Sequence, residues 1–262
     1  MYEVKFKSVP LLEDGIDVDL LDKTLSGNQI KLVYTVQTFQ NPSGITYSRE
    51  KRKNVASVIK KHNVIFVEDT PYSDLRFSGQ DIPFIKSSIE DNSIILGSFS
   101  KVVSPGLRLG WICANKEIIE KVSIAKQASD LHSNYLAQRI VYRYLLDNDI
   151  DTHLLKITET YKIRRYLMVA LIAEYFPSNV KFTKPDGGMF LWVTLPGNFS
   201  SLELFNLAII ENVAFVPGNP FYVNGNRSNS FRLNFSNSNE AQIEEGIKRL
   251  GICLQKLLGK EE

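Results

Sequence analysis

Apolar and polar positions along the first 150 residues alternate in blocks. Short runs of β-branched apolar residues, which predict strands, are separated by segments whose apolar residues recur every three or four positions, which predict helices. One helix begins after a capping Ser48 and continues to Lys61, with Val55 and Ile59 four residues apart. The predicted strands of this part are residues 4–9, 31–36, 64–67, 93–97 and 109–114.

These elements favour an α/β fold. Strands that alternate with helices, and whose apolar runs lack a polar face, predict a mostly parallel sheet with helices on both faces. Sheets of this kind bind ligands beyond the carboxyl ends of their strands. Asn41, Asp69 and Ser98 each follow a predicted strand, and we therefore expect them at one edge of the sheet.

The pattern changes after residue 150. A long helix is predicted over residues 151–176, and a last amphipathic helix carries Ile243, Ile247 and Leu254 on one stripe. Between them, residues 180–183, 188–195, 213–216 and 231–235 predict strands with hairpin-like spacing. We therefore divide the chain into a partial large α/β domain, residues 1–150, and a small C-terminal α+β domain, residues 151–262.

Composition narrows the function classes. The net charge of +2, with 44% hydrophobic and 23% charged residues, is ordinary for a globular protein and argues against nucleic-acid or membrane partners. The basic runs at 51–53 and 164–165 are expected to be solvated helix faces. Cys113 and Cys253 lie among apolar neighbours, so we expect two buried thiols in the reducing cytoplasm, with no disulfide and no metal site.

The candidate chemistry centres on Lys101. This lysine lies between two apolar runs, two hydroxyls (Ser98 and Ser100) precede it, and Arg108 follows seven residues later. A surface lysine in a loop is the simplest interpretation of the composition. An imine-forming amine beside hydroxyl and guanidinium ligands for a phosphate instead predicts pyridoxal 5'-phosphate (PLP) as the cofactor.

Four further residues complete this hypothesis. Asp69 follows a strand and is suited to hold a proton on the pyridine nitrogen, although such residues are more often turn or cap residues. Tyr72 and Asn41 are within reach of the ring hydroxyl; alternatively they are a half-buried aromatic and part of a Pro-Gly turn. Arg232 interrupts an apolar strand, where it is either a clamp for a substrate carboxylate or half of a structural ion pair.

Several motifs together resemble the class I and II (fold type I) PLP-dependent aminotransferases, and most of all their 2-aminoadipate and kynurenine aminotransferase-like branch. The matching segments are residues 40–44 (QNPSG), 68–72 (EDTPY), 97–101 (GSFSK), 105–108 (PGLR), 129–132 (SDLH), 184–190 (KPDGGMF), 213–218 (VAFVPG) and 231–236 (FRLNFS).

The resemblance implies a role for each candidate residue. Lys101 is the catalytic residue and carries the Schiff base. The implied cofactor ligands are Asp69 for the ring nitrogen, Tyr72 and Asn41 for the ring hydroxyl, and Ser98, Ser100 and Arg108 for the phosphate. Arg232 and Asn41 are the implied ligands of the substrate. The implied reaction is transamination of an amino acid with a 2-oxo acid, usually 2-oxoglutarate, in a homodimer.

One departure from the family bears on activity. Members carry an N-terminal block before the segment that matches the start of this sequence, so we expect a truncated or split gene product whose isolated activity is in doubt. Three alternatives remain: other PLP chemistry such as β-elimination or decarboxylation, an aminotransferase-like sensor domain of a transcription regulator, and a non-catalytic remnant. The sequence does not assign the amino acid substrate.

Overall fold

The chain forms two compact units. The structure, a computed structural model, describes residues 3–89, 92–223, 225 and 228–259. We call Val9–Thr38 together with Thr46–Lys156 the parallel-sheet unit, and Met1–Ser8, Phe39–Ile45 and Ile157–Glu262 the C-terminal unit. The proposed domain boundary near residue 150 stays a prediction; the unit boundary falls after Lys156, and residues 39–45 belong to the C-terminal unit.

The parallel-sheet unit is built on a four-stranded sheet. Its elements are β1 (Leu11–Leu12), β2 (Gly15–Ile16), α1 (Val18–Gly27), β3 (Leu32–Thr35), α2 (Arg49–His62), β4 (Ile65–Asp69), α3 (Lys86–Ile89), β5 (Ser93–Ser98), β6 (Gly110–Cys113), α4 (Lys116–Ser129) and α5 (Tyr135–Asp147). Strand order in the sheet is β3-β4-β5-β6. β3, β4 and β5 are parallel and β6 is antiparallel to β5, so the α/β class is confirmed with a mixed sheet.

One face of this sheet carries the core of the unit. Leu21 and Leu25 of α1, Ile59 of α2 and Ile85 next to α3 pack with Phe66 of β4. Apolar side chains four residues apart bring one face of each helix onto the strands. The opposite face of the sheet is open at β3 and β4, where Leu32, Tyr34 and Ile65 are exposed.

The C-terminal unit contains a second, antiparallel sheet. The chain enters it within α6 (Ile150–Tyr175) and continues through β7 (Lys181–Phe182), β8 (Phe190–Thr194), α7 (Ser201–Ile210), β9 (Val216–Pro217), β10 (Ser230–Asn234) and α8 (Glu240–Leu258). Strand order is β7-β8-β10-β9, with every pair antiparallel. Alternate residues of β8 and β10, such as Leu191, Val193, Phe231 and Leu233, are buried.

Two predicted strands differ from the structure. Residues 4–9 form no strand, and Val4 and Phe6 are exposed, because their alternating pattern pairs with no strand in the described part of the chain. The strand predicted at 213–216 is limited to Val216–Pro217, the segment that pairs with β10. Alternation alone does not identify a strand, since the backbone of a strand needs a hydrogen-bonding neighbour.

Three predictions about side-chain environment are wrong. Arg52 and Arg165 were expected on solvated helix faces, but both are buried. Arg52 lies inward because carbonyl and hydroxyl oxygens surround its guanidinium, and the guanidinium of Arg165 packs over the Tyr166 ring. Cys113 was expected to be buried, but it is exposed because it lies on β6, the edge strand of the sheet. Cys253 is buried as predicted.

The thickness of a bilayer sets a minimum length for any helix that crosses it. A crossing helix needs about 20 mostly apolar residues. Among the residues described, no helix combines that length with that apolar character.

Candidate functional site

Two of the candidate residues end neighbouring strands of the parallel-sheet unit. Asp69 is the last residue of β4 and Ser98 the last residue of β5. The ladder pairs Asp69 with Leu96, which places Ser98 one pleat further along the same face. Both side chains therefore belong to the edge at which parallel strands end, where open α/β sheets bind ligands.

The turn after β5 presents Lys101. The Ser98 hydroxyl accepts a hydrogen bond from the Ser100 amide at 3.1 Å, and the Phe99 carbonyl accepts one from the Val103 amide at 2.8 Å. These bonds fold the turn tightly while the Lys101 side chain remains partly exposed. Its Nζ makes no hydrogen bond or ion pair with any residue that the structure describes, so the amine is available to a ligand.

Arg108 lies at the far end of the same loop, two residues before the start of β6. It adopts a left-handed conformation with φ of 55°, and its Nη1 donates to the Pro105 carbonyl at 3.1 Å. That bond anchors one corner of an exposed guanidinium and leaves its other N–H groups for a ligand. With the hydroxyls of Ser98 and Ser100, this loop offers the charge-assisted and neutral donors that bind phosphate groups.

Asp69 has a partner that the sequence did not indicate. The Tyr34 hydroxyl donates to Asp69 Oδ2 at 2.5 Å. Desolvation, followed by this hydrogen bond to a carboxylate, raises the pKa of Tyr34 above its ordinary value. The register of β3 on β4 could have revealed the pair, because Tyr34 lies beside Val67 and therefore on the face of Asp69. Tyr72, three residues after Asp69, is buried.

The C-terminal unit holds the other two candidate residues together. Arg232 Nη1 donates to Asn41 Oδ1 at 2.6 Å, although the two residues are 191 positions apart. The guanidinium lies 4.1 Å from the centre of the Phe190 ring and 5.4 Å from that of Phe221. Arg232 is therefore a half-buried cation that an amide oxygen and two aromatic rings help to hold in place.

The turn that carries Asn41 is fixed against β8. Gly44 has a φ of 71°, and its amide donates to the Gln40 carbonyl at 2.6 Å. A Cβ at Gly44 would approach the Phe190 carbonyl oxygen to 2.8 Å, so a side chain does not fit there. The Pro-Gly turn and the polar contact to Arg232 thus occur in the same segment, and neither interpretation of Asn41 excludes the other.

The structure therefore places the predicted residues in two groups. The parallel-sheet unit carries Lys101, Asp69, Tyr72, Ser98, Ser100 and Arg108, and the C-terminal unit carries Arg232 and Asn41. The roles assigned to these residues stay predictions. Sequence reasoning missed Tyr34, Phe190 and Phe221, which support Asp69 and Arg232.

Comparisons with known proteins identify relatives that match nearly the whole chain. The aromatic-amino-acid aminotransferase 1 of Thermococcus litoralis is 41% identical over 265 aligned residues, which cover 99% of this chain and 64% of that protein. The crystal structure of a multiple substrate aminotransferase from Thermococcus profundus has a TM-score of 0.93 at 41% identity, covering 98% of this chain and 65% of that one.

A third relative was solved with a ligand. The α-aminoadipate aminotransferase of Thermus thermophilus, complexed with N-(5'-phosphopyridoxyl)-L-leucine, has a TM-score of 0.93 at 36% identity and covers 97% of this chain and 66% of that one. The chain thus spans just under two thirds of the length of these relatives. A family model described as aminotransferase class I and II matches residues 1–250. The family predicted from the motifs is confirmed: this chain belongs to the class I and II aminotransferases.

Proposed function

We propose that the protein is a PLP-dependent aminotransferase that exchanges the amino group of an amino acid with a 2-oxo acid. The observation that carries the proposal is the position of the Lys101 amine. It has no partner among the described residues, and it lies in the turn after Ser98, at the sheet edge where Asp69 also lies. Family membership and a relative solved with a phosphopyridoxyl amino acid support it.

The residues present fit this cofactor chemically. PLP supplies an aldehyde that condenses with amines and a protonated pyridine ring that accepts electrons from the substrate. Asp69 has one carboxylate oxygen bonded to Tyr34, and its second oxygen accepts no hydrogen bond from the described residues, so it can receive a ring N–H. Ser98, Ser100 and Arg108 supply the donors for the phosphate.

Each residue then has a defined task. Lys101 Nζ would hold the cofactor, and its amine would act as the general base that removes the proton from the substrate Cα. Asp69 would keep the proton on the ring nitrogen, and Tyr72 and Asn41 would donate hydrogen bonds to the ring hydroxyl. Arg232 binds the substrate carboxylate with its planar fork, whose orientation Asn41 Oδ1 and the Phe190 ring maintain. We propose 2-oxoglutarate as the amino acceptor.

The test begins with cofactor binding. Titration with PLP is expected to give a saturable visible absorbance band that Lys101→Ala does not show. Lys116→Ala, which removes an exposed amine at the start of α4, should keep the band. Borohydride reduction followed by peptide mass spectrometry should locate the pyridoxyl group on Lys101. A band of equal strength in Lys101→Ala, or the label on another lysine, would overturn the assignment of this residue.

The reaction is tested on the loaded protein. Aromatic amino acids and 2-aminoadipate, the compounds in the names of two relatives, are the first candidates. Their addition should remove the band and release the 2-oxo acid, and 2-oxoglutarate should restore it. Ammonia or carbon dioxide as the product would indicate elimination or decarboxylation. A stable band with no product would instead favour a cofactor-sensing domain.

We further propose a cytoplasmic homodimer. The location is supported by two free thiols, one of them the exposed Cys113, which persist best in a reducing compartment. The dimer is supported by large apolar side chains at the surface of α5, among them Leu136 and Leu146, which are 68% and 60% exposed.

A further inference from the structure

We propose that Tyr34 is a positioning residue of the cofactor site: its hydroxyl holds Oδ2 of Asp69, so that Oδ1 is presented to the protonated ring nitrogen of the cofactor. The inference rests on the proposed function, because it takes Asp69 as the partner of that nitrogen. It adds a residue from β3, a strand to which the motifs assign no part of the site.

The sheet geometry puts the two side chains together. β3 and β4 are parallel, and the ladder pairs Tyr34 with Val67. Side chains two residues apart on a strand share a face, so Asp69 lies one pleat beyond Val67 on the face of Tyr34. A tyrosine that leans along its strand covers that distance, and its Oη meets Asp69 Oδ2. The contact is therefore built into the strand register.

Packing does not account for the tyrosine. Its side chain is 55% exposed on the open face of the sheet, so it is not part of a buried core. The hydrogen bond to Asp69 is the polar contact that its hydroxyl makes within the described chain. A tyrosine hydroxyl is already a donor at neutral pH, and desolvation and Asp69 raise the pKa of Tyr34 further above its ordinary value.

The neighbouring carboxylate cannot take over this role. Glu68, on the opposite face of β4, accepts hydrogen bonds from the amides of Ile85 and Lys86 at 3.0 Å each. Both of its oxygens are thereby engaged in holding the start of α3. Asp69 is the carboxylate of this strand with an oxygen left for a ligand, and Tyr34 fixes the plane in which that oxygen lies.

The expected effect is a loss of cofactor affinity. Without the hydroxyl, the Asp69 carboxylate rotates freely and its contact with a ring N–H weakens. Tyr34→Phe should therefore raise the dissociation constant of PLP by roughly five- to tenfold. This is less than the factor for losing a charge-assisted hydrogen bond to the cofactor itself, because Tyr34 acts only through Asp69.

The first experiment compares two cofactors. Dissociation constants are measured by absorbance for the full chain and for Tyr34→Phe, once with PLP and once with 1-deazapyridoxal 5'-phosphate, whose ring has no nitrogen. The variant should bind PLP more weakly than the wild type and bind the deaza compound equally well. Tyr135→Phe, which removes an exposed tyrosine hydroxyl on α5, should change neither constant.

The outcomes separate the inference from the proposed function. A wild-type chain that forms no band with PLP would overturn the proposed function and this inference together. A wild-type chain that binds PLP, with Tyr34→Phe within twofold of it, would overturn the inference alone. An equal loss for PLP and the deaza compound would mean that Tyr34 merely supports the fold, and would also refute its action through Asp69.

A second readout needs no cofactor. In the chain labelled with ¹³C at the tyrosine Cζ positions, the signal that disappears in Tyr34→Phe belongs to Tyr34. That signal should move in Asp69→Asn, because the carboxylate that accepts the hydroxyl proton has been replaced by an amide. An unmoved signal in a variant with wild-type thermal stability would show that the hydrogen bond does not exist in solution.

Discussion

The neighbours of Arg232 determine how its side chain is oriented in the candidate site. Its guanidinium donates to Asn41 and lies over the Phe190 ring, so the plane of the fork is fixed before any ligand arrives. A planar, preorganised fork binds a carboxylate through two parallel hydrogen bonds. A lysine at this position would keep the charge but lose both the fork and the stacking.

This gives a prediction for Arg232→Lys. The dissociation constant of a 2-oxo acid, measured by calorimetry so that turnover is not needed, should rise about 10- to 100-fold, as expected for losing a charge-assisted hydrogen bond. The affinity for PLP should stay within twofold, because Arg232 is not itself a proposed cofactor ligand and a lysine amine can still donate to Asn41 Oδ1. Wild-type affinity for the 2-oxo acid in the variant would remove Arg232 from the substrate site.

The position of a side chain could be predicted from the sequence where local strand order determines it, and not where contacts between distant residues do. The strand-end rule correctly placed Asp69 and Ser98 at one sheet edge, because β4 and β5 are parallel neighbours. Its placement of Asn41 at the same edge stays a prediction, since Asn41 belongs to the C-terminal unit. The Arg232–Asn41 contact joins residues 191 positions apart, and no local pattern encodes it. Arg52 was misassigned because its charged neighbours in sequence indicate a solvated face, while its actual environment comes from distant carbonyl groups.

At the scale of elements, a buried polar cluster holds helix α2 to the segments that follow β3 and precede α3. Arg52 donates to the carbonyls of Ile82 and Pro83 and to the Thr38 hydroxyl at 3.1, 3.0 and 2.7 Å. Burial, opposed by the charge of Glu68, lowers the pKa of Arg52 to about 10, so it is still cationic at neutral pH. The cluster ties the segment after β3 and the segment before α3 to the same helix.

Replacing the fork of Arg52 should therefore be costly. Arg52→Lys keeps a charge but cannot reach three acceptors, and buried carbonyls left unsatisfied cost about 1–3 kcal/mol each. We expect the free energy of unfolding, measured in urea, to fall by at least about 2 kcal/mol. Arg49→Lys, an exposed position one helical turn earlier, should change it by less than about 0.5 kcal/mol. Equal effects would show that the cluster is not what stabilises this helix.

Glu68 makes the stability of this cluster depend on pH. Burial raises the pKa of Glu68 above 4.5, against the backbone amides of Lys86 and Ile85 and the charge of Arg52, which lower it. A carboxyl group whose pKa is higher folded than unfolded binds its proton more tightly in the folded state. Its contribution to stability is then complete below pH 4.5 and is lost as the pH rises through the raised pKa.

The test compares the wild type with Glu68→Gln, which cannot ionise. The free energy of unfolding of the wild type minus that of the variant should decrease from pH 4 to pH 7, by about 1.4 kcal/mol for each unit by which the pKa is raised. Glu50→Gln, an exposed carboxyl on α2, should give a flat difference. An increase with pH would mean that the amides and Arg52 outweigh burial.

The pairing of β5 with β6, next to the turn that carries Lys101, requires a glycine at position 97. Gly97 of β5 pairs with Trp111 of β6, and a Cβ at Gly97 would overlap the indole ring. Gly97→Ala should lower the free energy of unfolding by about 1–3 kcal/mol, as overpacking does. Gly246→Ala on α8 has open space around it and should be neutral or stabilising by up to about 1 kcal/mol. A free energy of unfolding that is the same in Gly97→Ala and the wild type would show that the Trp111 ring moves aside freely.

Elements with their own periodicity and caps were the easiest to predict. The helix expected up to Lys61 is observed over Arg49–His62 with the Ser48 side chain capping it, and the helix expected over 151–176 is observed over Ile150–Tyr175. Residues 4–9 alternate like a strand and form none, because a strand depends on a partner elsewhere in the chain. Local signals thus predict helices well and strands only where pairing supports them.

For the whole molecule, the uneven distribution of exposed apolar side chains is informative. Helix α4 has no buried residue, and α5 buries only Ala137 and Val141. Leu136 and Ile140, one helical turn apart on α5, are 68% and 46% exposed. Helices of a globular protein normally bury one apolar stripe, and contiguous exposed patches mark interfaces. These helices are therefore the surface on which we place self-association of the chain.

The proposed homodimer can be tested at this surface. Sedimentation velocity of the wild type over a range of concentrations should show a monomer–dimer equilibrium, because burying α5 against a second copy removes these side chains from water. The double variant Leu136→Lys and Ile140→Lys should raise the dimer dissociation constant at least tenfold, since two buried large apolar side chains contribute about 3 kcal/mol or more together. Leu202→Lys, an exposed leucine on α7 in the C-terminal unit, is the matched control and should leave the constant unchanged. A wild type that stays monomeric at every concentration would contradict the homodimer, and a dimer weakened equally by Leu202→Lys would place the interface elsewhere.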